Sequence, residues 1–239
     1  MVAATLSGTR VVVVGGTSGI GKEVARQAVA AGAEVLVGSR SEQKLADTAK
    51  EIEGVRTGVV DVTDEESVRG FFGGLDALDH LVVCPGDMAV GSVYDVSLEA
   101  VRRSLDTKII GPLLCVRHAG RKIAAGGSIV LLAGAAGYKA YPELAATAAA
   151  NAGIGGLGRS LALELAPVRV NVVVAGLIDT PLWDGLPAEA RAALFEQTAQ
   201  ATPLGRIGQP EDVARSVLHL LESAYTTGAL SHVDGGATL

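Results

Sequence analysis

Short runs of consecutive apolar, mostly β-branched residues alternate along the chain with longer segments whose apolar residues recur every three to four positions. The short runs predict strands at 10–15, 34–39, 54–60, 80–84, 128–133, 169–175 and 230–233. The longer segments predict helices at about 20–31, 41–51, 64–72, 97–124, 143–166, 187–199 and 210–222. Thr63, ahead of Asp64-Glu65-Glu66, and Ser97 read as helix caps, and Pro167 should end the long helix before the next strand. Strands that are apolar throughout, each followed by a helix, imply a parallel sheet covered on both faces. The expected fold is therefore α/β: one doubly wound, Rossmann-like domain over residues 1–239, with about seven strands. The stretch 180–202 departs from this rhythm. It holds Pro181, the only tryptophan (Trp183), Gly185 and Pro187, and it follows a strand end, where open α/β sheets bind ligands. It is expected to form a lid, with a static surface excursion as the alternative.

Composition narrows the partners. At 49% hydrophobic and 19% charged residues the chain can fill a large core, so disorder is not expected. The net charge of −6 and the lack of a Lys/Arg-rich run argue against nucleic acid. No apolar run is long enough to span a bilayer, and Met1–Arg10 lacks the pattern of a leader. Cys84 and Cys115 form no CxxC pair, so a reducing cytoplasm is the expected location. The four histidines have no metal-ligand spacing, and no metal is expected.

The chemistry starts at Val11-Val12-Val13-Val14-Gly15-Gly16-Thr17-Ser18-Gly19-Ile20-Gly21. A buried strand, a glycine turn and a helix start suit a dinucleotide pyrophosphate, because the turn lets backbone approach closely and the helix offers free N–H groups. A glycine-rich turn of some other α/β sheet is the bland alternative. After the second strand, where NAD sites usually place an acid, the chain reads Ser39-Arg40. Arg40 and Ser39 could bind a 2′-phosphate, which points to NADP(H); a solvated arginine is the alternative.

The glycine spacing, Gly-x3-Gly-x-Gly, resembles that of short-chain dehydrogenases/reductases, and further matches follow in order over nearly the whole chain. Gly127-Ser128-Ile129-Val130, Gly158-Arg159-Ser160, Arg169-Val170-Asn171-Val172, Gly205-Arg206-Ile207-Gly208-Gln209-Pro210 and Val233-Asp234-Gly235-Gly236 carry the likeness. The resemblance implies a dinucleotide site of Gly15, Thr17, Ser18, Gly19, Ile20 and Gly21. It places Asp61 and Val62 beside the adenine, though Asp61 is equally readable as an acid near a helix start. It puts Cys84-Pro85-Gly86 in place of a usual Asn-Ala-Gly, with Gly176, Ile178 and Thr180 after the sixth strand. Such proteins usually associate as dimers or tetramers through two long helices, here 97–124 and 143–166.

The family's catalytic residues are Asn, Ser, Tyr and Lys, and this sequence has none of them in place. The resemblance puts Lys108 at the asparagine position, Gly134 at the serine, Thr147 at the tyrosine and Asn151 at the lysine. An aliphatic hydroxyl stays protonated where a phenol can be tuned, so Thr147 cannot replace tyrosine by acidity. Lys108, in Asp106-Thr107-Lys108-Ile109-Ile110-Gly111, reads as a lysine moved from one helix to its neighbour, able to take over binding of the nicotinamide ribose or to polarise a carbonyl, with Asn151 left to bond a ribose hydroxyl; pairing of Lys108 with Asp106 is the alternative. Tyr138 and Tyr141, in the loop after the fifth strand, are candidate phenols from a new direction or plain packing residues. Three readings stay open. The first is an NADP(H)-dependent carbonyl/alcohol oxidoreductase with a rearranged site acting on a partly apolar small molecule. The others are a catalytically silent NADP-binding sensor or assembly subunit, and a non-redox cyclase, dehydratase or isomerase.

Overall fold

In a computed structural model, residues 6–239 are described; the first half of Met1–Arg10, read above for a leader, lies outside them. Seven parallel strands form one sheet in the order β3-β2-β1-β4-β5-β6-β7. They are β1 (Arg10–Val14), β2 (Glu34–Ser39), β3 (Arg56–Val59), β4 (Leu78–Val83), β5 (Ile123–Gly134), β6 (Arg169–Ala175) and β7 (Leu230–Val233). Around it lie α1 (Gly19–Ala30), α2 (Glu42–Glu51), α3 (Glu65–Gly73), α4 (Leu98–Leu105), α5 (Gly111–Ala119), α6 (Ala145–Glu164), α7 (Ala188–Ala201) and α8 (Pro210–Glu222). The order reverses between β1 and β4, which opens a crevice beyond their C-terminal ends.

The pleat divides the core in two. Val12 and Val14 pack with Leu81, Val83, Ile129 and Leu131 on the α3/α5/α6 side. Val11 and Val13 pack with Val35, Val37, Val82 and Val130 on the α1/α8 side. Alternate residues of one apolar run thus serve opposite layers, which is why the run has no polar positions. No helix among the described residues is long and apolar enough to cross a membrane.

The predicted helix 97–124 is broken. Between α4 and α5 lies a single π turn, Asp106–Ile110, in which the Gly111 N–H reaches back to the Asp106 carbonyl. Pro112 has no N–H to continue the α ladder at this point. Gly111 comes so close to the segment after β3 that a Cβ there would stand 2.9 Å from the Val62 Cβ. The far end of the predicted helix is strand: β5 begins at Ile123, paired with Leu78. Ala124-Ala125-Gly126-Gly127 has no strand signature of its own, and pairing with β4 decides its conformation. At α6 the helix starts later than predicted because Glu143 sits in the left-handed region, φ 61°. Ser97 caps α4 as expected, whereas α3 is capped by Asp64 rather than Thr63.

A glycine-lined cavity and its candidate active site

A cavity of about 420 Å³ runs along the C-terminal ends of β2, β1, β4, β5 and β6. Its first wall is the β1–α1 turn. Gly15 has φ +84°, and a Cβ on it would come 2.9 Å from the Cys84 carbonyl oxygen. A Cβ on Gly21 would stand 2.3 Å from the Gly15 carbonyl oxygen and 2.7 Å from the Cys84 Sγ. Gly19 has φ +49°, and a Cβ on it would stand 2.9 Å from the Thr180 Cγ2. Thr17, Ser18 and Ile20 complete this wall. Ser18 precedes α1 without a side-chain cap, and the first turn of α1 carries no acid. Its amide N–H groups and dipole are therefore available to an anion.

At one end stand Ser39, Arg40, Ser41 and Lys44. The Thr17 hydroxyl donates to Ser39 Oγ at 3.1 Å. Neither Arg40 nor Lys44 has an ion pair among the described residues. Lys44 was missed by reading the sequence; its signal was its spacing, four residues after Arg40 at a helix start. Val62 lines the cavity, but Asp61 does not. The Asp61 Oδ1 accepts from both the Thr63 N–H (2.9 Å) and its hydroxyl (2.7 Å), so it shapes the turn into α3.

Farther along, Cys84, Pro85 and Gly86 form one side, and Gly176, Ile178 and Thr180 the other. Burial pushes the Cys84 thiol up to about 12, so it stays protonated. Pro181, Leu182 and Trp183 roof this part. The Trp183 Nε1–H donates to the Ile178 carbonyl at 2.9 Å.

The positions expected to carry chemistry separate sharply. Lys108, on the π turn, faces the cavity beside Thr107 and Gly134. No ion pair joins it to Asp106 among the described residues. Burial holds its amine below the ordinary lysine range, opposed by Cys84 and Asp87. Thr147 and Asn151 do not line the cavity. Both are 3% exposed. The Thr147 hydroxyl accepts from the Ala89 N–H at 3.0 Å and donates to the Ala89 carbonyl at 2.9 Å. Asn151 Oδ1 accepts from the Gly134 N–H at 2.6 Å, and its Nδ2 donates to the Thr147 carbonyl at 2.8 Å. These two side chains thus staple α6 to the segment after β4 and to the end of β5. The absent serine has a local correlate: a Cβ on Gly134 would already touch Asn151 Oδ1 at 3.3 Å.

Neither tyrosine lines the cavity. Tyr141 is part-exposed at 39%. Burial, then Asp234, raises its pKa. Tyr138 packs edge-on against His232, with ring centroids 5.0 Å apart, and its buried hydroxyl has no partner among the described residues. Lys108 is the one group of the expected catalytic set that the fold delivers to the cavity.

A half-buried ammonium without an ion-pair partner among the described residues opposes folding. We expect Lys108→Met to stabilise the protein by about 0.5–2 kcal/mol near neutral pH. Between the lowered folded pKa and the unfolded value of 10.5, the unfolded chain binds the extra proton, so the penalty on the wild type fades as pH rises. Thermal melts of both proteins against pH check this; a gap that widens with pH contradicts it.

Comparison with known proteins agrees with this architecture. Residues 14–238 match the family described as Enoyl-(Acyl carrier protein) reductase. A cis-4-hydroxycyclohexanecarboxylate dehydrogenase of Sinomonas cyclohexanicum is 36% identical over 248 residues, covering 95% of each chain. A 3-oxoacyl-(acyl-carrier-protein) reductase of Thermotoga maritima is 32% identical, covering 98% of this chain and 99% of that one. A solved small-chain dehydrogenase in complex with NADPH superposes with a TM-score of 0.85 at 34% identity, over 96% of this chain and 98% of that one. With that sheet order, that glycine turn and likeness over nearly its full length, the chain belongs to the short-chain dehydrogenase/reductase family.

Proposed function

We propose that this protein is an NADP(H)-dependent oxidoreductase interconverting a carbonyl and an alcohol at a rearranged site. The carrying observation is the pair Arg40 and Lys44, cations without an ion pair among the described residues, beside Ser39 at one end of a cavity whose other walls are glycine turn and helix N-terminus. An extra phosphate on the ribose is the group such a pair suits. The NADPH-bound relative adds support. Gly15, Gly19 and Gly21 leave no room for side chains where a pyrophosphate would lie, which fits the nucleotide.

A bound nicotinamide supplies the hydride. Lys108 is the donor aimed at the substrate oxygen: its ammonium stabilises developing negative charge and gives up a proton, which solvent restores through the cavity mouth. Burial, by weakening the ammonium's hold on its proton, favours that transfer. Thr147 and Asn151 act as positioning residues through the backbone they hold. The segment 180–202 serves as a lid, because Leu182 already lies 3.6 Å from where a Gly86 Cβ would stand. Association into a homodimer or tetramer through the α4/α5 and α6 faces is supported by exposed Leu98, Leu105, Ile110, Leu113 and Leu163. Free Cys84 and Cys115 accord with a reducing, cytoplasmic setting.

One observation favours a second reading, a catalytically silent NADP-binding protein: the side chains at the tyrosine and lysine positions are spent on backbone. Fluorescence titration with NADPH and NADH, followed by a panel of carbonyl compounds, separates the two. We expect saturable binding that favours NADPH, with Arg40→Ala weakening NADPH about tenfold or more and leaving NADH unchanged. Equal affinity of the wild type for both nucleotides would contradict the phosphate assignment. Binding without turnover of any carbonyl would favour the silent reading.

A further inference from the structure

Among the described lining residues, the end of the cavity away from Arg40 holds one cation, Lys108, and no anion. In the sheet order, β5 lies three strands from β2, roughly 14 Å away, so Lys108 is well apart from the phosphate end. Its ammonium makes no hydrogen bond and no ion pair among the described residues. From the segment after β4 it is faced by Cys84, a neutral thiol, and by Asp87, whose carboxylate accepts from the Arg103 Nε at 3.3 Å. From β5 it shares the cavity wall with Gly134, and α6, whose Thr147 and Asn151 are uncharged and bonded to backbone, contributes no residue to that wall. On its own segment Asp106 is exposed and makes no ion pair with it. A half-buried cation in such a place favours an anionic ligand over a neutral one.

We propose that the substrate is a ketone with a carboxylate next to the reacting carbon, the 2-oxo-acid class, or the matching 2-hydroxy acid in reverse. This rests on the oxidoreductase reading and names the substrate class of that same site. An ammonium carries three N–H donors, so Lys108 spans one carboxylate oxygen and the adjacent carbonyl oxygen at once. The carboxylate keeps the ammonium charged, and the charged ammonium polarises the carbonyl. A neutral ketone does only the second, against the cost of burial. In the step itself the cofactor's hydride forms the new C–H bond, and the carbonyl π electrons pass to oxygen. That oxygen takes a proton from Lys108, and water returns one to the amine. The product is the 2-hydroxy acid and oxidised cofactor. The substituent on the far side of the carbonyl meets Leu182 and Trp183, whose only polar atom is already bonded to Ile178, so this substituent is apolar. No second cation stands at this end among the described lining residues, which disfavours a dicarboxylate or a phosphorylated substrate.

The test compares 4-methyl-2-oxopentanoate with its ethyl ester, titrated into the wild-type protein saturated with NADPH and into Lys108→Met. The wild type is expected to bind the acid about tenfold or more tightly than the ester, the worth of one charge-assisted hydrogen bond. That preference is expected to fade as pH rises through the lysine's lowered pKa. Lys108→Met is expected to bind both compounds alike. An ester bound as tightly as the acid, acid preference surviving in Lys108→Met, or no binding of either compound overturns the inference. Each of those results leaves nucleotide binding intact, so it fails this proposal alone; loss of NADPH binding by the wild type fails the oxidoreductase reading as well. The acid–ester comparison in the wild type stands even where the variant does not fold.

Discussion

Gly21→Ala is expected to abolish nucleotide binding and to destabilise the protein by about 3 kcal/mol or more. The added Cβ would lie 2.3 Å from the Gly15 carbonyl oxygen and 2.9 Å from its carbon. Both belong to backbone already tied down, since the Gly15 N–H donates to the Gly38 carbonyl at 2.8 Å. On the remaining side stands the Cys84 Sγ at 2.7 Å, itself donating to the Val14 carbonyl. None of these atoms is the loose end of a side chain. Relief requires α1 to move away from β1, which spoils both the glycine cradle and the helix N-terminus aimed at the cavity. Gly156→Ala supplies the control. It lies in α6 with nothing within 4 Å of its Cβ position, and alanine there should stabilise by about 0.5–1 kcal/mol. A Gly21→Ala protein that melts with the wild type and binds NADPH with unchanged affinity would contradict the turn's role.

Asn151→Ala is expected to cost about 2–4 kcal/mol and to weaken activity indirectly. Removing the amide leaves the Gly134 N–H, at the cavity wall, without its acceptor, and it frees the end of β5 from α6. Asn151→Asp keeps an acceptor for that N–H but buries a charge, so it rescues only part of the loss. Restoring the family's pair with Thr147→Tyr/Asn151→Lys is expected to fare worse than either single change. It removes the two hydrogen bonds to Ala89 as well, and it forces a phenol and an ammonium into positions that are 3% exposed. Equilibrium unfolding by denaturant ranks the variants. If the double variant is as stable as wild type and gains activity, Thr147 and Asn151 are lapsed catalytic positions with room to spare rather than staples.

Much of the nucleotide end was readable in the chain. Gly15, Gly19 and Gly21, Ser39-Arg40, and Gly176, Ile178 and Thr180 all line the same cavity. Their positions follow from local rules: a strand must end, a turn must form and a helix must start, and each leaves a mark in residue type. Lys44 is legible only through its spacing from Arg40, since a lysine at a helix start is ordinarily a solvated one. Asp61 was assigned to the cavity by resemblance, but its carboxylate finds nearer donors in Thr63.

The reacting end was a different matter. The family resemblance implies which catalytic residues are missing, and the sequence places a lysine at 108. It also set the fold class, because apolar runs separated by amphipathic segments bury their surface only as a covered parallel sheet. It could not tell that Thr147 and Asn151 turn away to bond Ala89 and Gly134, since those partners lie 58 and 17 residues distant and meet only through packing. Nor could it show the π turn that aims Lys108 into the cavity. A seamless helix was expected, and the break depends on Pro112 acting together with the close approach of Gly111 to Val62. Local propensity and hydrophobic period therefore determined the scaffold and the cofactor cradle. Tertiary structure decided which polar side chains face the cavity, because a buried polar group takes the nearest partner in space wherever that lies in the chain.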